Sequence, residues 1–135
     1  MLRAETRARA RALQLLYAWE AQDRPPLADV ALELAGAEDA RRWQSGVALA
    51  ERVAADVGRL DAEIARCTEH WRLERIGAVE RNILRLGTLE LMEAQTPPAV
   101  VIDEAVGLAR WFAGPKAPAF VNGVLDALAR GLGRL

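Results

Sequence analysis

Four arginines, Arg3, Arg7, Arg9 and Arg11, fall within the first eleven residues, opposed there only by Glu5. The arginine guanidinium is planar, weakly hydrated and able to donate two parallel hydrogen bonds, which suits it to phosphate oxygens. On a helix at about 100° per residue, Arg3, Arg7 and Arg11 share one face at i, i+4 and i+8. Ala12, Leu13, Leu16 and Trp19 gather on the other face. Arg9 falls close to the apolar side but near the helix start, where a core need not reach. A row of cations spaced about 6 Å apart along the axis can follow a nucleic-acid backbone. The competing use of the same row is a solvated face that serves solubility or pairs with neighbouring carboxylates. Clustering favours phosphate, because the chain as a whole carries a formal charge of -1.

A second candidate centre runs from Gly114 to Phe120. Lys116, the only lysine, stands with Phe120 at the expected start of the last helix. Unpaired N–H groups and partial positive charge at a helix N-terminus attract phosphate. An aromatic ring there can stack on an unpaired base. The competing place for Phe120 is the core, beside Val121 and Val124. Gly123 within this helix predicts a close approach by another helix, and Asn122 predicts a polar partner.

Enzyme chemistry finds little support. His70 is the single histidine and Cys67 the single cysteine. At i and i+3 they can share a helix face, but a metal site needs further ligands. Asp103 and Glu104 are adjacent and point in different directions on a helix. The glycines are dispersed, with no phosphate-binding loop. Trp19, Trp43, Trp71 and Trp111 are expected in the core or between lobes. No catalytic residue, metal or cofactor is expected.

The elements that position these residues are helical. The chain has 135 residues, 52% hydrophobic but only 5% aromatic, so Ala, Leu and Val must fill the interior. Pro25-Pro26 ends a first helix of about 5–22. A short helix over about 27–35 stops near Gly36. An amphipathic segment spans about 39–57 with Val47, Ala50, Val53, Ala54 and Val57 on one face. Gly58 interrupts it, and Asp61 is expected to cap a short helix carrying Ile64. The clearest helix covers about 77–94, where Ile83, Leu84, Leu86, Leu89, Leu91 and Met92 make a wide apolar face. Thr96-Pro97-Pro98 breaks it. A helix over about 99–112 follows and stops at Gly114-Pro115. Pro118 suits the first turn of the last helix, which buries Val121, Val124, Leu125 and Leu128. About seven helices and no strand pattern predict an all-α bundle. With no apolar leader segment and no run of about 18 apolar residues, the sequence predicts a cytoplasmic chain rather than a membrane one.

The same residues carry a resemblance. The stretch Phe120-Val121-Asn122-Gly123-Val124-Leu125-Asp126 is similar to the signature of the NusB family of transcription antitermination factors. So are Pro98, Val101-Ile102-Asp103-Glu104-Ala105-Val106 and Leu108-Ala109. Trp71 with Leu73-Glu74-Arg75, Glu80-Arg81, Leu84-Arg85-Leu86 and Glu90-Leu91 add to the pattern. Arg7-Ala8-Arg9, Ala12-Leu13-Gln14, Leu16-Tyr17 and Trp19 resemble the family's arginine-rich opening helix. The matches run in order along essentially the whole chain.

The resemblance implies one domain over 1–135, built of two small helical bundles packed crosswise, with lobes over about 1–70 and 71–135. It implies binding of boxA-type single-stranded RNA together with NusE, a small-subunit ribosomal protein, on the RNA polymerase elongation complex during ribosomal RNA synthesis. Arg7 and Arg9 match RNA contacts, Arg3, Arg11 and Lys116 extend them, and Phe120 matches an aromatic that touches RNA. Tyr17, Glu74 and Glu80 match positions on the NusE face. Glu5 and Thr6 stand where other members often carry arginines, which implies RNA affinity that leans on the partner. Lys116-Ala117-Pro118-Ala119 departs from the usual polar loop, with Lys116 as the substitute phosphate ligand. Two other readings compete. One is the NusB-like RNA-binding domain of a ribosomal RNA cytosine methyltransferase, disfavoured because no methyltransferase domain follows. The other is a dimerising interaction module without RNA binding, in which a homodimer covers the arginine face.

Overall fold

Proline, glycine and left-handed residues set several of the helix ends, those of α1, α5 and α6 among them. A computed structural model describes residues 3–68 and 73–135. Seven α-helices occur among them: α1 (Ala4–Ala21), α2 (Leu27–Asp39), α3 (Gln44–Ala55), α4 (Val57–Arg66), α5 (Ala78–Glu93), α6 (Pro98–Phe112) and α7 (Ala117–Gly131). Short 3₁₀ turns cover Ala40–Trp43 and Leu73–Arg75. The described residues contain no strand, so the chain is all-α as expected. His70 and Trp71 lie outside the described residues. No helix of the described residues is long and apolar enough to cross a membrane.

The chain forms two compact units, Met1–Ala55 and Asp56–Leu135. The division falls earlier than the lobe boundary expected near residue 70. The reason is that α4 packs on α5.

In the first unit α1 packs on α3 and α2. Beyond α1, Asp23 and Arg24 take left-handed φ of 64° and 63°, and Arg24 N–H bonds back to the Trp19 carbonyl at 2.8 Å. Pro25-Pro26 then excludes further helix. Gly36, at φ 78° and ψ 161°, breaks the helical path inside α2, so the stop signal read there acts as a kink. The α1–α3 contact depends on Gly46. A Cβ there would meet Arg11 Cβ at 2.9 Å and the Ala8 carbonyl oxygen at 3.2 Å, so the two backbones can approach only without it. Leu49, Ala50 and Val53 complete the buried side of α3, while Val47 and Ala54 are half-buried.

In the second unit α5 is the central element, packed against α4, α6 and α7. Every residue from Asn82 to Leu89 is buried. A Cβ at Gly87 would stand 2.7 Å from Leu125 Cδ1, so Gly87 makes room for the α7 leucine. Val121, Val124, Leu125 and Leu128 are buried as read from the sequence. The left-handed Ala94, at φ 61°, ends α5. There the Arg134 guanidinium donates to the Leu91 carbonyl at 2.6 Å and the Thr96 carbonyl at 3.0 Å. Carbonyls at a helix C-terminus otherwise lack partners, and a cation there also meets the negative end of the helix dipole.

A buried polar pair joins α4 to α5. Arg85 Nε and Nη2 donate to the two Asp61 carboxylate oxygens at 2.7 and 2.8 Å. Arg85 Nη1 donates to Asn82 Oδ1 at 3.0 Å, and Asn82 Nδ2 donates to the Ala78 carbonyl at 2.9 Å. The Arg85 side chain is 3% exposed. This corrects the reading of Asp61 as a helix cap: it lies inside α4, turned to the Arg85 fork. The break before α4 falls at Asp56, and Gly58 is within the helix.

Gly123 and Asn122 also differ from expectation. Both are exposed, and nothing lies within 4 Å of a Cβ built at Gly123. They face solvent because the α7 stripe that packs runs through Val121, Val124, Leu125 and Leu128, on the opposite side. Trp111 is 59% exposed rather than buried, since it belongs to the last turn of α6, beyond Leu108 and Ala109.

Candidate nucleic-acid interface

Helix α1 separates its arginines into different environments. Arg3 and Arg7 are exposed, with Arg3 at the N-cap and Arg7 one turn on. Cations at the positive end of a helix dipole cost it about 0.3–1 kcal/mol when unscreened. Helix stability therefore does not explain their placement. Arg11 is engaged within its own unit: Nη1 donates to the Arg42 carbonyl at 2.6 Å, and the guanidinium lies 5.6 Å from the centre of the Trp43 ring. Arg9 is only 9% exposed. The expectation that the core would not reach it fails, because burial on α1 begins at Arg9 and Ala10, less than two turns from the start. The surface part of the stripe is thus Arg3 and Arg7, with Arg11 half-exposed.

The second unit holds a groove of about 480 Å³. Arg75, Ile76, Gly77 and Glu80 form one wall, and Gly114, Pro115, Lys116, Ala117 and Phe120 the other. The start of α5 and the start of α7 both face it. Each helix leaves its first N–H groups without an intrahelical partner. Lys116 is the N-cap of α7 and Gly77 the N-cap of α5. Phe120 is half-buried at the groove, neither a fully buried core residue nor a fully exposed one. Among the described residues neither Arg75 nor Lys116 has an ion-pair partner. The Glu80 carboxylate folds back over Gly77, with Oε2 2.6 Å from where a Cβ on that glycine would sit. Only glycine leaves space for it there.

The geometry can hold an anion beside a flat apolar ring, with one carboxylate able to accept hydrogen bonds. The sequence reading placed Lys116, Phe120 and Glu80 in candidate sites but missed Arg75 and Gly77. A cation two residues before a helix N-cap was the available signal for Arg75. Tyr17 is 50% exposed on α1, and Glu74 is exposed in the 3₁₀ turn. Glu74 and Glu80 lie in the same unit, but only Glu80 lines the groove.

Reactive chemistry remains sparse. Cys67 is half-buried, and burial, assisted by nearby Glu63, pushes its thiol above the ordinary value against the lowering effect of Arg66. A protonated thiol is a poor metal ligand and nucleophile. No group of three or more His, Cys, Asp or Glu side chains able to hold a metal occurs among the described residues.

Comparison with known proteins supplies a family. The NusB family model matches residues 6–130. The transcription antitermination protein NusB of Solibacter usitatus is 42% identical over 129 residues, covering 92% of this chain and 87% of the relative. The T. maritima NusB structure superposes with a TM-score of 0.83 at 30% identity, over 96% of this chain and 93% of that one. A chain in the crystal structure of the antitermination factors NusB and NusE in complex with dsRNA superposes with a TM-score of 0.80 at 30% identity, over 97% and 99%.

Proposed function

The chain belongs to the NusB family, and from that membership we propose that it is an RNA-binding transcription antitermination factor working with NusE. The relatives are named for transcription antitermination, a binding function, and the chain is not an enzyme. The match to antitermination factors over nearly the whole chain carries the proposal, and the relatives are little longer than this chain. A structural neighbour seen with both NusE and RNA supports the choice of partners.

The RNA is a boxA-type segment, the setting is ribosomal RNA synthesis on the RNA polymerase elongation complex, and the compartment is the cytoplasm. Arg3 and Arg7 contact phosphates without reading sequence, as exposed guanidiniums do. Arg11, tied to Arg42 and Trp43, and the buried Arg9 add positive potential to the same RNA-facing helix. In the groove, Lys116 and Arg75 hold phosphate beside a base stacked on Phe120. Tyr17, Glu74 and Glu80 contribute to the NusE-binding surface. A homodimer would compete for the arginine face.

Titration of labelled boxA-type single-stranded RNA, with and without NusE and at several salt concentrations, tests this. With three to five phosphates contacted, log affinity falls against log salt with a slope of about -2 to -4. Absence of binding even with NusE present sinks the proposal and favours a protein-interaction module. A dimer that dissociates as RNA binds identifies the arginine face as shared.

A further inference from the structure

We propose that the exposed face of α6 is the contact surface of a symmetric dimer, in which this helix packs antiparallel on α6 of a second copy of the chain. The interface lies within the second unit and uses none of the α1 arginines. It does not depend on the RNA-binding reading.

Three positions form a line along α6 that its own chain leaves uncovered. At about 100° per residue, Val100, Gly107 and Trp111 fall within about 40° of one another. Val100 is 42% exposed and Trp111 59%. The Trp111 ring stands edge-on to that of Phe112, itself exposed. Nothing lies within 4 Å of a Cβ built at Gly107, so the middle of the line is open. Glycine weakens a helix interior, and no close approach within this chain accounts for it at 107. A facing backbone would.

The charges beside the line select the occupant. Asp103 and Arg110 are both exposed, on the same flank of the line. They lie about 10.5 Å apart along the axis, beyond the i, i+4 spacing at which residues of one helix pair. Among the described residues neither has an ion-pair partner. Glu104, on the other flank, is half-buried and already engaged.

A two-fold axis crossing the helix midway between Asp103 and Arg110 passes beside Gly107. It sets Asp103 of each copy level with Arg110 of the other, on the same flank, so that two ion pairs form. The same rotation brings each Trp111 to within about 3 Å of level with Val100 of the other copy. Gly107 meets Gly107 at the crossing, where the helices can approach more closely than the usual spacing of about 8–10 Å. Such reciprocity, residue i on j and j on i, is what an isologous interface requires. A parallel pairing would instead oppose like charges. A face one helix wide buries less than the standard interface of about 1,600 Å², so the dimer forms in a concentration-dependent equilibrium.

Sedimentation equilibrium of the full chain without RNA tests this over a range of concentrations, with the helix content of each variant checked by circular dichroism. The wild type should dimerise reversibly. Asp103→Arg and Arg110→Asp should each weaken dimerisation about tenfold, because two exposed ion pairs are lost and like charges replace them. An equimolar mixture of the two variants should recover a mixed dimer, since every facing pair is then opposite in charge. A chain carrying both substitutions should recover its own dimer for the same reason. Gly107→Leu, whose Cβ meets nothing in its own chain, should abolish dimerisation with helix content retained. A wild type that stays monomeric at every concentration overturns the proposal, and α6 substitutions that then weaken NusE binding would assign the face to that partner. A dimer unchanged by the α6 substitutions but lost in Arg7→Glu overturns it in favour of contact through α1. Failure of the mixture to recover a dimer overturns the antiparallel pairing.

Discussion

The α1 stripe and the α5–α7 groove both set cations at helix N-termini, but the first is a line and the second a container. Arg3 and Arg7 stand exposed on a convex helix, where a phosphate can approach from many directions. The groove has walls, an aromatic ring and a carboxylate, so it constrains what enters as well as its charge. Contacts of the first kind supply affinity and salt dependence, and contacts of the second kind can supply selection. The supports differ too. Gly46 lets α1 lie close against α3 through small residues, whereas α5 is tied to α4 by Arg85 and Asp61.

The largest effect is expected from breaking that support. Arg85→Ala removes both hydrogen bonds to Asp61 and the one donated to Asn82 Oδ1. Removing one member of a buried pair typically costs about 3–5 kcal/mol. Asp61 retains 24% side-chain exposure, which places this loss near about 3 kcal/mol. Chemical denaturation should show it as a lower midpoint. If the two units respond separately, the lost stability should appear in the transition of the second unit.

Next comes Phe120→Ala. A lost base stack weakens RNA binding by about 1–3 kcal/mol. The loss should be similar at every salt concentration, because no charge is removed. A change confined to low salt would show that the groove works as another patch of charge, and the contrast with α1 would collapse. If circular dichroism shows α7 unfolded in this variant, Phe120 acts as a core residue instead.

The sequence made one side of this comparison plainer than the other. Helix positions followed from Pro25-Pro26, Pro97-Pro98, Gly114-Pro115 and the apolar spacing in α5. Exposure of Arg3 and Arg7 followed from the α1 face. The groove was less legible because its walls lie far apart in sequence, at 75–80 and 114–120, and their meeting depends on tertiary packing. Asp61 was read as a cap because a local hydrogen bond is the only partner a sequence window offers it. Its actual partner is 24 residues away. Gly123 was read as a contact point and Gly46 and Gly87 were not, since a glycine by itself does not say which face of its helix is covered.

Arg7→Ala has a smaller effect and tests the line directly. Loss of one phosphate contact should reduce the magnitude of the salt slope by about 0.7 for single-stranded RNA. Affinity should fall at low salt and converge on wild type as salt rises. No change in slope would remove Arg7 from the interface.

The smallest effect on RNA binding is expected at Arg11, though its spacing on the helix is the same. Arg11 is half-buried where Arg7 is exposed, and its guanidinium donates to the Arg42 carbonyl and lies over Trp43. Arg11→Ala should change the salt slope by much less than Arg7→Ala. It should instead lower stability by about 1 kcal/mol, the scale of one hydrogen bond or one exposed cation–π contact, or about 4 °C in thermal melting. Arg11→Lys, which keeps the charge but loses the planar fork, should share most of that loss. Were Arg11→Ala to match Arg7→Ala in slope and leave melting unchanged, the three-arginine row would act as one uniform stripe. The division of α1 into exposed contacts and an internal tether would then be wrong.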